Sequence, residues 1–124
     1  MRRILRDFPD PASPIYDSSY VPKQGWDKTK PGTVLASRNI QAGFTKTQKI
    51  NLDGAYQLLY RTSGVDDKSP SYSVTTVLVP KNARPNKLVL IMAYEDSNFV
   101  ECAPSYKIQL GAPLETNPIQ TVEE

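Results

Sequence analysis

The stretch of sequence that decides the fold is Lys87-Leu-Val-Leu-Ile-Met-Ala-Tyr-Glu-Asp-Ser-Asn-Phe-Val-Glu-Cys-Ala-Pro-Ser-Tyr106. Its residues 88–94 are all apolar or small, which predicts a strand buried on both faces in the middle of a parallel or mixed sheet. The apolar run ends at the polar residues 95–98, Glu-Asp-Ser-Asn. Ligands of open α/β sheets bind in the crevice beyond the carboxyl ends of the strands, so this loop is the candidate functional site.

Two further strands are predicted upstream. Residues 55–62 (Ala-Tyr-Gln-Leu-Leu-Tyr-Arg-Thr) alternate between two sets of side chains, as a half-buried strand does. Residues 71–79 are rich in β-branched residues, and Pro80 ends this strand because proline has no N–H for the ladder. The connection, Ser-Gly-Val-Asp-Asp-Lys-Ser-Pro, consists of turn formers, so the pair predicts an antiparallel hairpin. Residues 33–40 are a shorter strand candidate.

The remaining segments are predicted to be irregular. Residues 1–32 form an extended, proline-rich lead-in that ends in the turn Lys30-Pro-Gly, and its aromatic residues Tyr16, Tyr20 and Trp26 are candidates to pin it onto the body. Residues 103–110 predict one or two helical turns that begin near Pro104 and end at Gly111. We therefore divide the chain into this lead-in and a partial domain, residues 33–124.

Composition limits the possible functions. The net charge of +2 is too small to indicate nucleic acid or an acidic membrane as partner, although basic residues and Trp26 lie close together in the lead-in. No apolar core follows the basic residues at the start, so we expect no signal peptide here, and no stretch is long enough for a membrane span. The chain has no histidine, so it cannot build a serine–histidine–acid triad alone.

The predicted elements do not complete a fold. A strand buried on both faces needs a neighbour on each side and cover above and below, and no amphipathic helix is predicted to supply that cover. The fold class is therefore α/β, the N-terminal strands of a larger sheet, incomplete as a stand-alone domain. Cys102 is the single cysteine and has no internal disulfide partner.

Four motifs resemble the fungal secretory lipase family, the α/β-hydrolases of the yeast lipase A type. The strongest is Tyr94-Glu-Asp-Ser followed by Cys102-Ala-Pro-Ser-Tyr. The other three occur in the same order as in the family: Lys30-Pro-Gly-Thr-Val-Leu-Ala-Ser-Arg, Tyr56-Gln-Leu-Leu-Tyr-Arg-Thr and Val74-Thr-Thr-Val-Leu-Val-Pro. The resemblance runs from about residue 15 to residue 111 and implies the N-terminal portion of a secreted, extracellular triacylglycerol lipase.

The resemblance also implies roles for individual residues. Asp96 helps to form the oxyanion hole, in agreement with the general position of one oxyanion donor in this loop. Because an ionised carboxylate would repel the oxyanion, Asp96 must donate through its backbone N–H or through a carboxyl kept protonated by burial. Cys102 is a disulfide candidate whose partner lies outside this chain. Tyr94, Glu95 and Ser97 are expected to support the loop, and no metal or organic cofactor is implied.

Other residues favour ordinary structural roles. Without the resemblance, Asp96 reads as a residue that caps the turn leaving the strand. Ser105 follows a proline and lacks the flanking glycines of a nucleophile elbow, so we reject it as a nucleophile. Asp66 and Asp67 would suit a cation, but two carboxylates in a hairpin loop are ordinary turn residues.

Two functional hypotheses follow. In the first, the complete protein hydrolyses acyl esters such as triacylglycerols, and this chain alone is inactive because it lacks Gly-x-Ser-x-Gly, the acid and the histidine. In the second, the chain is a non-catalytic remnant that binds other proteins through the unpaired edge of strand 88–94. A variant of the first has a second polypeptide that carries the triad, with Cys102 bridging the two.

Overall fold

The computed structural model describes residues 8–44, 46–92 and 97–113. Three strands form one antiparallel sheet in the order β1-β2-β3. The elements are β1 (Val34–Asn39), β2 (Leu52–Ser63), β3 (Pro70–Pro80), the short helix α1 (Pro104–Lys107) and three 3₁₀ turns (Ser18–Tyr20, Trp26–Lys28 and Val100–Cys102). All three strands predicted from residues 33–80 are confirmed, and β2 starts three residues earlier than its alternating pattern indicated.

The β2–β3 hairpin has the long loop that its turn residues predict. The strands stay in register from Gly54, opposite Val79, to Ser63, opposite Pro70. The Asp66 carboxylate accepts hydrogen bonds from the Ser69 hydroxyl and from the backbone N–H groups of Ser69 (2.7 Å) and Lys68 (3.0 Å), and together these lower its pKa to about 2. This is the way an aspartate side chain closes its own turn, so the structure gives Asp66 a local structural role.

One face of the sheet is covered, and it is the more polar face of β2. Gln57, Leu59 and Arg61 are buried on this face, and Leu59 is the most deeply buried large side chain among the described residues. The opposite face carries the apolar set that includes Tyr56, which remains 39% exposed, and Leu58, which is half-buried. The alternation was read correctly from the sequence, but the face covered within the described residues is not the more apolar one.

The lead-in provides much of that cover. The Trp26 ring packs edge-on against Tyr72 of β3, with the two ring centroids 5.0 Å apart. The Tyr20 hydroxyl lies 3.0 Å from the Ser105 hydroxyl oxygen. Two of the three aromatic residues therefore hold the lead-in on the body, whereas Tyr16 is 83% exposed and does not.

The prediction of a buried central strand over residues 88–94 is wrong for its described part. Residues 88–92 belong to no strand, and their side chains are between 77% and 90% exposed. A buried strand needs backbone partners on both sides, and the described sheet ends at β3 without another strand beside it. The apolar run therefore has the sequence of a strand that needs neighbouring strands, and the described residues provide none for it. Ala93 and Tyr94 lie outside the described residues.

The segment after α1 returns to the sheet and forms a small apolar cluster. Ala42 and Gln109 form an isolated β-bridge, and the N–H of Leu110 donates to the Gln41 carbonyl at 2.8 Å. Ala42 and Leu110 are buried here. The predicted helical turns are confirmed as α1, which begins at Pro104. No helix within the described ranges is long and apolar enough to cross a membrane.

Candidate functional site

The centre of the candidate site lies just outside the described residues. The described residues exclude Tyr94, Glu95 and Asp96. The oxyanion role of Asp96 and the supporting roles of Tyr94 and Glu95 therefore stay predictions. Ser97, in the same loop, is the first described residue after Asp96, and its hydroxyl oxygen accepts a hydrogen bond from the Phe99 N–H at 3.2 Å. The geometry of the site is therefore the geometry of the segment that leaves the loop, residues 97–107, which we call the exit segment.

The exit segment is a pair of short turns joined at Ala103. The 3₁₀ turn Val100–Cys102 is followed directly by α1, whose first residue is Pro104. Proline suits this position because the first N–H of a helix has no partner and its fixed φ is already helical. The carbonyl of Ala103 accepts both the Tyr106 N–H (2.9 Å) and the Lys107 N–H (3.0 Å). These bonds make the exit segment a compact unit.

Tyr106 fixes α1 against the lead-in. Its side chain is buried, with 4% of its surface exposed, and its hydroxyl lies 3.4 Å from the Pro11 carbonyl oxygen. Burial raises the pKa of Tyr106, and the nearby carboxylates of Asp10 and Glu101 raise it further. Tyr106 is therefore a neutral hydrogen-bond donor at any ordinary pH.

A second contact joins the lead-in to the 3₁₀ turn. The Ser13 hydroxyl donates to the Glu101 carboxylate at 2.7 Å, which is the main reason that the pKa of Glu101 is lowered. Together with the contact between the Tyr20 and Ser105 hydroxyls, the described lead-in thus holds the exit segment at three points, Glu101, Ser105 and Tyr106.

The sheet holds the exit segment through a buried amide. Gln57 of β2 is 3% exposed, and its Nε2 donates to the backbone carbonyl of Ser105. Its Oε1 accepts two hydrogen bonds from Arg38 of β1, from Nη2 at 2.7 Å and from Nε at 3.0 Å. Since Arg38 has donors only, Oε1 must face it, and this leaves the Nε2 donor facing Ser105.

Arg38 is itself held on its far side. Its Nη2 lies 2.7 Å from the Asp17 carboxylate, and its Nη1 donates to the Ser19 hydroxyl oxygen at 3.0 Å. The guanidinium also lies over the Tyr20 ring, 5.8 Å from its centroid. Asp17, Arg38, Gln57 and Ser105 thus form one continuous chain of hydrogen bonds, which we call the clasp.

The charge on Asp17 is stabilised by the clasp. Burial raises the pKa of this carboxyl, but the Ser19 N–H and the Arg38 guanidinium outweigh burial, so the pKa lies below its usual value of 3.8. Hydrogen bonds to charged groups contribute about 1.5–3 kcal/mol each, more than neutral ones. The clasp is therefore anchored by an ion pair at neutral pH.

Cys102 lies at the end of the 3₁₀ turn, half-buried, as a free thiol. Its disulfide pairing stays a prediction, since the chain has one cysteine only. The Ser105 hydroxyl is paired with the Tyr20 hydroxyl and not with a base. Neither hydroxyl is a general base of the kind that activates a nucleophilic serine, so this pair does not activate a nucleophile.

The described residues support a loop, but they contain no nucleophile paired with a base. Two shallow grooves of about 270 and 230 Å³ lie beside β1, and neither is lined by Ser97, Cys102 or Ser105. No cluster of metal-ligating side chains occurs in the described part of the chain. What the geometry does is to hold the exit segment, whose first residue follows Asp96 in the sequence.

Sequence reasoning missed the members of the clasp. Gln57 and Arg38 are separate polar residues on two predicted strands, and no local motif links them. Strand pairing provides the signal, because Arg38 lies directly opposite Gln57 in the antiparallel register and paired side chains share a face. The register was not predictable from the alternation alone.

The chain is similar to secreted triacylglycerol lipases of Malassezia. It is 94% identical over 124 residues to one from Malassezia globosa, which covers 100% of this chain and 26% of that protein. A second, from Malassezia restricta, is 40% identical over 121 residues and is covered to 26% of its length. A third, again from Malassezia globosa, is 49% identical over 102 residues, or 18% of its length.

These comparisons confirm the resemblance to an N-terminal part of the secretory lipases. The chain spans about a quarter of the length of the first two relatives. No family model matches the chain. No solved structure matches it either, so the α/β-hydrolase fold is not tested by a structural neighbour.

Proposed function

We propose that this chain, which is homologous throughout its length to about a quarter of a secreted triacylglycerol lipase, is the N-terminal part of an α/β-hydrolase that cleaves triacylglycerols outside the cell. The observation that carries the proposal is the 94% identity to the Malassezia globosa lipase over the entire chain. At this identity the two segments share a fold and local chemistry. The exposed apolar residues 88–92 support it, because they are a strand sequence without its sheet.

The role of this part is to supply the beginning of the sheet and the oxyanion loop. Residues 88–94 form a central strand once further strands lie beside them, and Asp96 then stands at its carboxyl end. There it helps to bind the oxyanion that develops when a serine attacks the ester carbonyl. The serine, the acid and the histidine are contributed by the remaining three quarters, and Cys102 forms a disulfide with a cysteine of that portion.

The test is to restore the missing portion. A chimera is made in which this chain replaces the matching quarter of the Malassezia globosa relative, and its hydrolysis of tributyrin and of p-nitrophenyl esters is measured. The chimera is expected to hydrolyse both, and the 124-residue chain alone neither. A folded chimera without ester hydrolysis would contradict the proposal. So would turnover by the pure 124-residue chain that a serine-directed fluorophosphonate abolishes.

A second candidate function is favoured by the same exposed run. Side chains as exposed as Leu88 (90%) and Met92 (83%) form an apolar patch that other polypeptides can cover. The chain would then act as an interaction module, or as one half of a split hydrolase bridged through Cys102. Electrophoresis of native material with and without reductant separates a split hydrolase from a single long lipase. Two chains bridged through Cys102 give one band without reductant and two bands after reduction. A single long lipase gives one band in both cases.

A further inference from the structure

The Ser105 carbonyl of the exit segment accepts hydrogen bonds from Nε2 of Gln109, at 3.4 Å, and, from the sheet, from the buried side chain of Gln57. Its amide donates to the Ser105 carbonyl and accepts the paired N–H groups of Arg38, so all three groups are satisfied together. Such an arrangement fixes a backbone carbonyl in space more strictly than apolar packing does, because a buried acceptor that loses its donor is destabilised.

The attachment is close in sequence to the proposed oxyanion loop. Ser105 is nine positions after Asp96, and two compact turns fill most of that distance. Because hydrogen bonds connect the exit segment from Ser97 to Lys107, we expect movement of α1 away from the sheet to shift Ser97, the residue that follows Asp96. An oxyanion donor must lie within a few tenths of an ångström of its productive position, so the loop needs a fixed exit.

We propose that Gln57, oriented by Arg38, is the positioning residue of the oxyanion loop: it holds the Ser105 carbonyl and thereby sets the exit of the loop that carries Asp96. This inference rests on the proposed function for the role of the loop, but the attachment itself is a property of this chain. Gln57 touches neither substrate nor the reacting atoms and acts through the exit segment.

The structure offers a nearly isosteric test. Gln57→Glu keeps the acceptor for Arg38 but places a carboxylate oxygen against the Ser105 carbonyl, so that two acceptors face each other. Arg38→Lys is the milder second variant, since it keeps a charge opposite Asp17 and loses the paired donors to Oε1. Thr76→Val is the matched control, because Thr76 lies opposite Gln57 in the register and its Oγ1 is buried without a hydrogen-bond partner.

The first readout is amide hydrogen exchange in the 124-residue chain. Gln57→Glu is expected to speed exchange of the Tyr106 and Lys107 amides by about tenfold, and Arg38→Lys by less. The Arg61 amide, which donates to the Thr33 carbonyl at 2.9 Å within the sheet, is expected to stay unchanged. Equal acceleration at Arg61 and Tyr106 would indicate general destabilisation and overturn the proposal, as would no acceleration beyond that of Thr76→Val.

The second readout is catalysis by the chimera, per titrated active site. Gln57→Glu is expected to lower kcat by about tenfold with little change in KM, because the oxyanion forms only in the transition state. An active chimera whose kcat is unaffected by Gln57→Glu would overturn the proposal. If the unsubstituted chimera is inactive, the proposed function fails instead, and hydrogen exchange alone decides whether Gln57 holds the exit segment.

Discussion

The Asp17 carboxylate of the lead-in lies 2.7 Å from Nη2 of Arg38 in β1. Asp17 also accepts the Ser19 N–H at 2.9 Å, so the 3₁₀ turn Ser18–Tyr20 and the edge of the sheet share one anion. With 9% of its side chain exposed, Asp17 is shielded enough for this pair to contribute to stability. The proline-rich lead-in, which has little regular structure, is thereby fixed to the sheet that it covers.

The first prediction concerns pH. Because the folded state lowers the pKa of Asp17 below 3.8, the ion pair contributes its full stability above pH 3.8 and loses it as the pH falls through the lower, folded-state pKa. Asp17→Asn is expected to lower the free energy of unfolding by about 1–2 kcal/mol at pH 7. Urea denaturation at several pH values is expected to show this difference shrinking below pH 3.8. A difference that stays constant to pH 2 would contradict the assignment.

The second prediction concerns the exposed apolar run. Leu90→Lys is expected to change the stability of the 124-residue chain by less than about 0.5 kcal/mol, since Leu90 is 77% exposed. In the chimera, where we propose that residue 90 lies in a central strand, the same substitution is expected to prevent folding, because it would bury an unpaired charge. Leu59→Ala is the control: Leu59 is 2% exposed, so its truncation costs about 2–5 kcal/mol in both proteins. Equal tolerance of Leu90→Lys in both would contradict a central strand.

Gly111 provides a third prediction. It has a φ of +94°, and a Cβ there would collide with the Pro9 carbonyl, whereas Gly25, with a φ of +88°, has open space around it. Both alanine variants impose a strained backbone, at a cost of about 1–2 kcal/mol. Gly111→Ala is expected to cost clearly more than Gly25→Ala in thermal unfolding, and equal losses would show that the contact between Pro9 and Gly111 is absent in solution.

A fourth prediction addresses the donor at Asp96. In the chimera, Asp96→Ala is expected to lower kcat by about 10²–10³ with little change in KM, as removal of one oxyanion donor does. Asp96→Asn keeps an N–H donor in the side chain and is expected to retain more activity. If both variants keep full activity, the donor to the oxyanion is the backbone N–H of residue 96. If Asp96→Pro, which removes that N–H, is then also fully active, the oxyanion role is wrong.

Local chemistry explains which parts of the fold the sequence predicted. The hairpin followed from the β-branched residues of 71–79 and from the turn residues near Asp66, and α1 followed from Pro104. These signals act between neighbours along the chain, so they need no knowledge of tertiary contacts. The predicted contacts of Tyr20 and Trp26 were found because large aromatic side chains seldom stay uncovered.

Properties that depend on distant partners were not predictable. Residues 88–92 carry a pattern typical of a buried strand, but burial requires polypeptide that the described sheet does not include. The alternation in β2 did not show which of its faces is covered, because the lead-in and α1 select the face with Gln57 through polar contacts. The clasp was missed for the same reason, since Arg38 meets Gln57 only through the register of two strands.

The proposal that this chain is one part of a longer lipase can be tested on the native transcript. Sequencing is carried past the codon for Glu124. The account predicts a reading frame that continues in frame into a Gly-x-Ser-x-Gly motif, an acid, a histidine and a second cysteine, because the chain matches only 26% of its Malassezia globosa relative. A stop codon directly after Glu124 in the native transcript would contradict it.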